Sequence, residues 1–163
     1  MIIQPIQNEY EKQIVDLILN IQQNEFNVPI TLEDQPDLLN IKNFYYQSGG
    51  CFLGAFIDGK LVGTIALVKF NKEAGAIRKM FVVKEYRGKQ YNIGQQLLEK
   101  LIIYSKENGL KDLYLGTVSK LHAALRFYER NNFIRIHKEE LPDDFPLMKP
   151  DNIFCQLQLN SKK

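Results

Sequence analysis

The chain has 163 residues, with 21 basic and 19 acidic side chains and a net charge of +2, long enough to build one core without metals or disulfides. Charge this balanced leaves no electrostatic footprint for duplex nucleic acid or an anionic membrane surface, so neither is expected as a partner. No apolar run approaches the roughly 20 residues of a membrane span, and the first residues lack the basic-then-apolar pattern of a secretory leader, which makes the cytoplasm the expected address.

Ile2, Ile3 and Ile6 suggest a short first strand. Ile14, Val15, Leu17, Ile18 and Ile21 then recur at helical spacing in a segment starting near Asn8. Pro29 and Pro36 interrupt the next stretch, and Leu38, Leu39, Ile41, Phe44 and Tyr45 suggest a second helix that stops at Gly49-Gly50. From Cys51 the period becomes strand-like: Phe52 to Ile57, the hairpin turn Asp58-Gly59, then Leu61 to Phe70. Asn71 to Gly75 reads as a turn, Ile77 to Val83 as a strand, and Leu97, Leu98, Leu101 and Ile102 as a helix that ends near Asn108-Gly109. Leu113 to Leu115 form a further strand, Lys120 to Arg130 a last helix, and Phe133 to His137 and Ile153 to Leu159 the final strands, with a break at Leu141 to Pro146. With no internal repeat or linker, residues 1–163 are expected to form a single α/β domain: one mixed sheet of about seven strands flanked by about four helices. Cys51 and Cys155 lie in apolar strand-like contexts, with no Cys-x-x-Cys pair and only two histidines in the chain, so buried free thiols are expected before a disulfide or a reactive thiol, and no metal site.

The most informative stretch is the strand through Met80, Phe81, Val82 and Val83, which runs through Arg87-Gly88-Lys89-Gln90-Tyr91-Asn92-Ile93-Gly94 into a helix. The first turn of a helix carries backbone N–H groups without intrahelical partners and the positive end of the macrodipole, so an anion is favoured there. Gly88 and Gly94 let the backbone bend and approach a ligand, and Arg87 and Lys89 add positive charge. A plain strand-to-helix connection with solvated cations is the alternative reading of this segment.

Taken with Ala123-Ala124-Leu125-Arg126-Phe127-Tyr128-Glu129-Arg130-Asn131-Asn132-Phe133, this turn and the element order resemble the GCN5-related N-acetyltransferase (GNAT) family over most of the chain. The resemblance implies a mostly antiparallel sheet whose two central parallel strands, near Met80 and Leu113, splay apart around acetyl-CoA. The backbone of Met80, Phe81 and Val82 would then hydrogen-bond the pantetheine arm, freed by a bulge in their strand. N–H groups from Gly88, Lys89, Gln90, Tyr91, Asn92, Ile93, Gly94 and Gln95 would hold the pyrophosphate. The family's Q/R-x-x-G-x-G/A signature is met loosely: counted back from Gly94, its first position falls on Lys89 and its middle glycine on Asn92. The turn is about two residues longer than the commonest form, which leaves Arg87 either near the phosphates or at the strand exit.

The same resemblance implies direct attack of an amine on the thioester in a ternary complex, with Tyr128 as the catalytic acid that protonates the leaving CoA sulfur. A phenol of pKa about 10 stays protonated at neutral pH. Tyr128 equally fits the apolar stripe of its helix with Leu121, Ala124 and Leu125. An amine must shed a proton to attack, but where histone-type relatives carry a glutamate this chain has Ala76, with Glu73 back in the turn. A water relay, Glu33 or Glu140 remain as alternatives. Leu121 stands where many relatives have an asparagine; His122 beside it is a possible ligand contact, and nothing singles out His137. No nucleotide P-loop, nucleophile elbow or paired-histidine motif is present, and Cys51 lies far in sequence from both histidines.

The expected activity is therefore transfer of acetyl from acetyl-CoA to a small-molecule or peptide amine, the competing reading being a non-catalytic acyl-CoA sensor with the same fold. Pairing of two copies through C-terminal strands is compatible with either. The acceptor would be bound by the irregular segment Asn24 to Gly50 and the loop Glu139 to Asn152, where Phe26, Tyr45, Tyr46 and Phe145 supply either aromatic walls or, for most of them, core.

Overall fold

The structure, a computed structural model, describes residues 1–159; the last four of the chain lie outside it. Seven strands form one sheet in the order β1-β2-β3-β4-β5-β7-β6. They are β1 (Ile2–Pro5), β2 (Cys51–Ile57), β3 (Lys60–Lys69), β4 (Ala74–Val82), β5 (Asp112–Thr117), β6 (Ile134–Ile136) and β7 (Ile153–Gln158). Only β4 and β5 pair in parallel among the described strands.

The β2–β3 hairpin closes through Asp58 and Gly59, at φ 51° and 78°, the two positive dihedrals that a two-residue turn needs to match the strand twist. Strand alternation splits the apolar residues between two faces. Cys51, Leu53 and Ala55 point toward α2 (Ile93–Glu107) and α3 (His122–Arg130), whereas Phe52 and Phe56 point toward α1 (Glu11–Leu19). α2 is held by Ile93, Leu97, Leu98 and Leu101, all buried, each contributing about 1.5–3 kcal/mol from burial.

Two expectations need adjusting. The turn read at Asn71 to Gly75 is shorter, because β4 already begins at Ala74, where Ala74 and Gly75 pair with Asp112 and Leu113. The second helix is broken into a 3₁₀ turn, Pro36–Leu39, and a π-helical turn, Lys42–Tyr46. Asn40, between them, sits at φ −156° and interrupts the helix. α1 likewise runs on into a π-helical turn, Asn20–Glu25, so the helical segments are shorter and less regular than the periodicity suggests.

Candidate active site

The parallel ladder of β4 and β5 is short: Ala74, Gly75 and Ala76 pair with Asp112, Leu113 and Tyr114, and pairing stops there. Beyond it β4 stays on β3 and β5 stays on β7, so the two strands part and leave a gap. β4 also carries a bulge, because Thr64 faces Phe81 while Ala66 faces Arg78. The extra residue falls at Lys79, in the left-handed region at φ 55°, a conformation costing about 1–3 kcal/mol for a non-glycine residue.

Buried partners hold Lys79 there. Its carbonyl accepts a 2.6 Å hydrogen bond from Thr64 Oγ1, and its Nζ donates to Gln35 Oε1 and lies 3.7 Å from Asp37 Oδ2. Tyr45 donates to the same Asp37 oxygen at 2.5 Å. Burial pulls the Lys79 ammonium down to about 8 against the raising field of Asp37. Sequence reading passes over this pair, whose members lie 42 positions apart on elements that meet only in the fold.

Two cavities open along the gap. The larger, about 700 Å³, runs past Met80, Phe81, Val82, Gly88, Asn92 and Gly94. At its end Asn92 caps α2 in the left-handed region, φ 52°, and its side chain makes no capping hydrogen bond. The first amides of α2 therefore face this space without a side-chain acceptor. Gly88, at φ 121°, has nothing within 4 Å of where a Cβ would stand, and a Cβ on Gly94 would meet Met80 Cε at an ordinary 3.4 Å. The cradle is thus open toward the cavity, and a phosphate group fits it by charge and by donor supply. Lys89, Ile93 and Gln95 also line this cavity, whereas Gln90 and Tyr91 do not; Tyr91 packs instead on Tyr86 with ring centroids 5.3 Å apart.

Arg87 borders the same cavity and is tied to the strand exit. Its guanidinium forks onto Glu25 at 2.5 and 2.8 Å, its Nε donates to the Val82 carbonyl at 2.8 Å, and it lies over the Phe26 ring. It ties the π-helical turn to β4 at the edge of the cavity.

The smaller cavity, about 140 Å³, adjoins the first; Phe26, Met80, Phe81, Leu121, Ala124 and Tyr128 border both. Tyr128 packs against Phe127 and Phe133 and donates its hydroxyl to Met80 Sδ at 3.3 Å. Burial pushes its phenol well above the ordinary value, so it stays a proton donor across the physiological range. A thioether is a weak acceptor, so this hydroxyl is readily turned to a better one. The ring keeps its place in the apolar stripe while the residue borders both cavities.

Of the other sequence candidates, Phe145 borders the smaller cavity and Phe26 both, whereas Tyr45 is core and Tyr46 donates to the Ile6 and Phe52 carbonyls. Ala76 is buried at the last rung of the parallel ladder, and Glu73 pairs with Lys111 at 3.0 Å on the surface. Glu33 is exposed and borders neither cavity. Glu140 accepts the His137 N–H at 2.8 Å in a surface turn and is likewise away from both. His122 borders the larger cavity from the start of α3, and Cys51 and Cys155 are buried free thiols.

The acid that does border the smaller cavity is Asp151, in the loop already read as an acceptor wall. Asn152 anchors that loop: its N–H donates to the Thr117 carbonyl at 2.9 Å, and its side-chain oxygen accepts the Ser119 N–H at 3.0 Å. A Cβ on Gly116 would collide with the Asp151 carboxylate. Burial pushes that carboxyl up to about 6, against the fields of Arg78 and Lys79.

A sequence model of the Acetyltransferase (GNAT) family matches residues 15–133. The chain is 32% identical over 109 residues to a probable N-acetyltransferase camello of Xenopus tropicalis, covering 65% of this chain and 49% of that protein. It is 34% identical over 100 residues to an N-acetylaspartate synthetase of the same frog, covering 60% of this chain and 36% of that protein. The chain thus spans about half or less of the length of these curated relatives. Among solved structures, a GNAT-family acetyltransferase from Staphylococcus aureus Mu50 superposes with a TM-score of 0.94 at 40% identity, covering 97% of this chain and 98% of the other. The Thermoplasma acidophilum PaiA N-acetyltransferase, solved with coenzyme A, shares the fold at a TM-score of 0.73 and 19% identity, over 96% of this chain and 98% of the other.

Proposed function

Because the chain belongs to the GNAT acetyltransferase family, we propose that it is an acyltransferase that transfers the acetyl group of acetyl-CoA to a primary amine held in the same gap. The observation that carries this reading is the continuity of the splayed strands with an uncapped helix mouth, a slot with an anion cradle at one end and a phenol at the other. Acetyl-CoA supplies the activated acyl group. The amides at the start of α2 bind its pyrophosphate, and the bulged stretch at Met80 and Phe81 offers backbone partners to its pantetheine arm. Tyr128 gives its proton to the departing sulfur, whose thiol pKa of about 8.5–9 lies below that of the phenol, so the transfer depends on charge building on sulfur as the C–S bond breaks. The acceptor approaches through the smaller cavity, and the name of one relative, an N-acetylaspartate synthetase, makes free amino acids a reasonable first class to try.

Calorimetry with coenzyme A and release of its thiol from acetyl-CoA test the two halves of this reading. Gly94→Asp places a carboxylate at the helix mouth, where the backbone has room for a side chain. A loss of at least about tenfold in affinity is expected from the reversed charge. Unchanged affinity would mean that the donor lies elsewhere, and thiol release with no member of an amine panel would remove the transfer reaction.

A further inference from the structure

The smaller cavity holds opposite charges that do not satisfy each other. Asp151 is a half-buried carboxylate that no side chain among the described residues hydrogen-bonds or ion-pairs. Two cations act on it from β4, Lys79 and Arg78. Lys79 is already engaged by Gln35 and Asp37. Arg78 is not: its Nη2 donates to the Met148 thioether at 2.6 Å and its plane lies over Phe44, with no carboxylate partner among the described residues. A thioether is a poor acceptor for a guanidinium whose fork suits a carboxylate. The last loop thus offers the cavity an unfilled anion, β4 offers it an unfilled cation, and Tyr128 borders both this cavity and the donor slot.

Resting on the acetyl-transfer reading above, we infer that the acceptor is an amine carrying its own carboxylate, such as a free amino acid, whose carboxylate docks on Arg78 and whose ammonium gives its proton to Asp151. The nitrogen sheds two protons in the reaction. The first passes to an Asp151 oxygen and on to solvent, which frees the lone pair to form the C–N bond. The second passes from nitrogen to solvent as the C–S bond breaks, while Tyr128 protonates the sulfur and is itself reprotonated from solvent, so that one proton is released per turnover. The groups facing Asp151 are Arg78 and Lys79 on β4 and Tyr128 on α3. The first two favour its ionised form, and burial opposes it.

The test is thiol release from acetyl-CoA by the full chain with three sets of acceptors: the free amino acids, the same amino acids as carboxamides, and carboxylate-free amines such as putrescine. At least one free amino acid should turn over with kcat/KM at least about tenfold above its amide, as a charged hydrogen bond at the carboxylate implies. Arg78→Met should abolish that ratio by raising KM for the acid. Asp151→Asn should lower kcat by roughly 10²-fold and remove the acid limb of the pH profile, with coenzyme A affinity unchanged by calorimetry in both variants. Turnover confined to carboxylate-free amines, or an acid-to-amide ratio near one in the unaltered protein, overturns the inference while leaving acetyl transfer intact. Thiol release with none of the three sets removes both. Because the acid-to-amide comparison is made on the unaltered protein, it decides even if a variant fails to fold.

Discussion

Tyr128 fills the core and, in the proposed reaction, gives up a proton, and a single oxygen separates the two roles. Tyr128→Phe keeps the ring contacts to Phe127 and Phe133 and removes only the hydroxyl that reaches Met80. Transfer should slow by roughly 10²-fold with melting temperature and coenzyme A affinity nearly unchanged; equal losses of stability and rate would mark the hydroxyl as structural. Lys79 poses the opposite case, a buried charge whose work is conformational. Lys79→Met should cost about 3–5 kcal/mol in urea denaturation, because it strands Asp37 in the core. The double variant with Asp37→Asn should cost less than the two single changes added together, whereas strict additivity would mean that the pair does not hold the bulge. Tyr128 and Gly94 are legible in the sequence because they belong to contiguous segments, a helix mouth and a helical apolar stripe, that can be read locally. Arg78, Lys79 and Asp151 are not, because each acquires its meaning from a partner dozens of residues away: Asp37 for Lys79, and the cavity between β4 and the last loop for the other two. The loop that carries Asp151 is recognisable as an acceptor wall, but nothing local distinguishes Asp151 from Glu140, and only the fold turns one inward and leaves the other in a surface turn.

At the level of elements, regular hydrophobic periods translate into structure and interrupted ones do not. β2, β3 and the Asp58-Gly59 turn follow from alternation and turn chemistry alone. The stretch from Pro36 to Tyr46 shows helical spacing yet forms two separate turns, because Tyr45 and Asp37 are fixed by their mutual hydrogen bond and by Lys79 rather than by helix propensity. Gly49-Gly50 marks a helix stop in the sequence, but the structure gives Gly50 a second duty. A Cβ there would fall 1.9 Å from the Leu67 carbonyl oxygen, against the backbone of β3, whereas Gly59 has open space and only a positive φ of 78° to satisfy. Gly59→Ala should therefore cost about 1 kcal/mol. Gly50→Ala should cost several-fold more, since backbone rather than a flexible side chain must move. Urea unfolding of the two variants checks this, and similar losses would show that the close approach of strand to turn relaxes freely.

Across the whole molecule, the sheet order places β7 between β5 and β6, and this insertion puts the Asp151 loop over the gap where β4 and β5 part. Strand number and order along the chain can be read from the sequence; this lateral arrangement cannot, since it depends on which edge β7 joins. It also leaves a trace in the pH dependence of stability. The Asp151 carboxyl is raised to about 6 in the folded protein, against about 3.9 in the unfolded chain. Between those values the folded state binds more protons than the unfolded one, so stability falls as pH rises through that window, and the loss persists above it. Lys79, lowered to about 8 from about 10.4 unfolded, acts in a separate window: there the unfolded chain binds more protons, and stability rises with pH. Asp151→Asn abolishes the first effect alone. The variant should match the unaltered protein near pH 4 and exceed it by about 1–3 kcal/mol at pH 7, while being the slower enzyme. Thermal unfolding of both proteins across pH 4–8 measures this directly. A variant less stable at pH 7 would mean that the carboxylate is held by favourable contacts, and that its proton affinity is too low for it to take a proton from the acceptor.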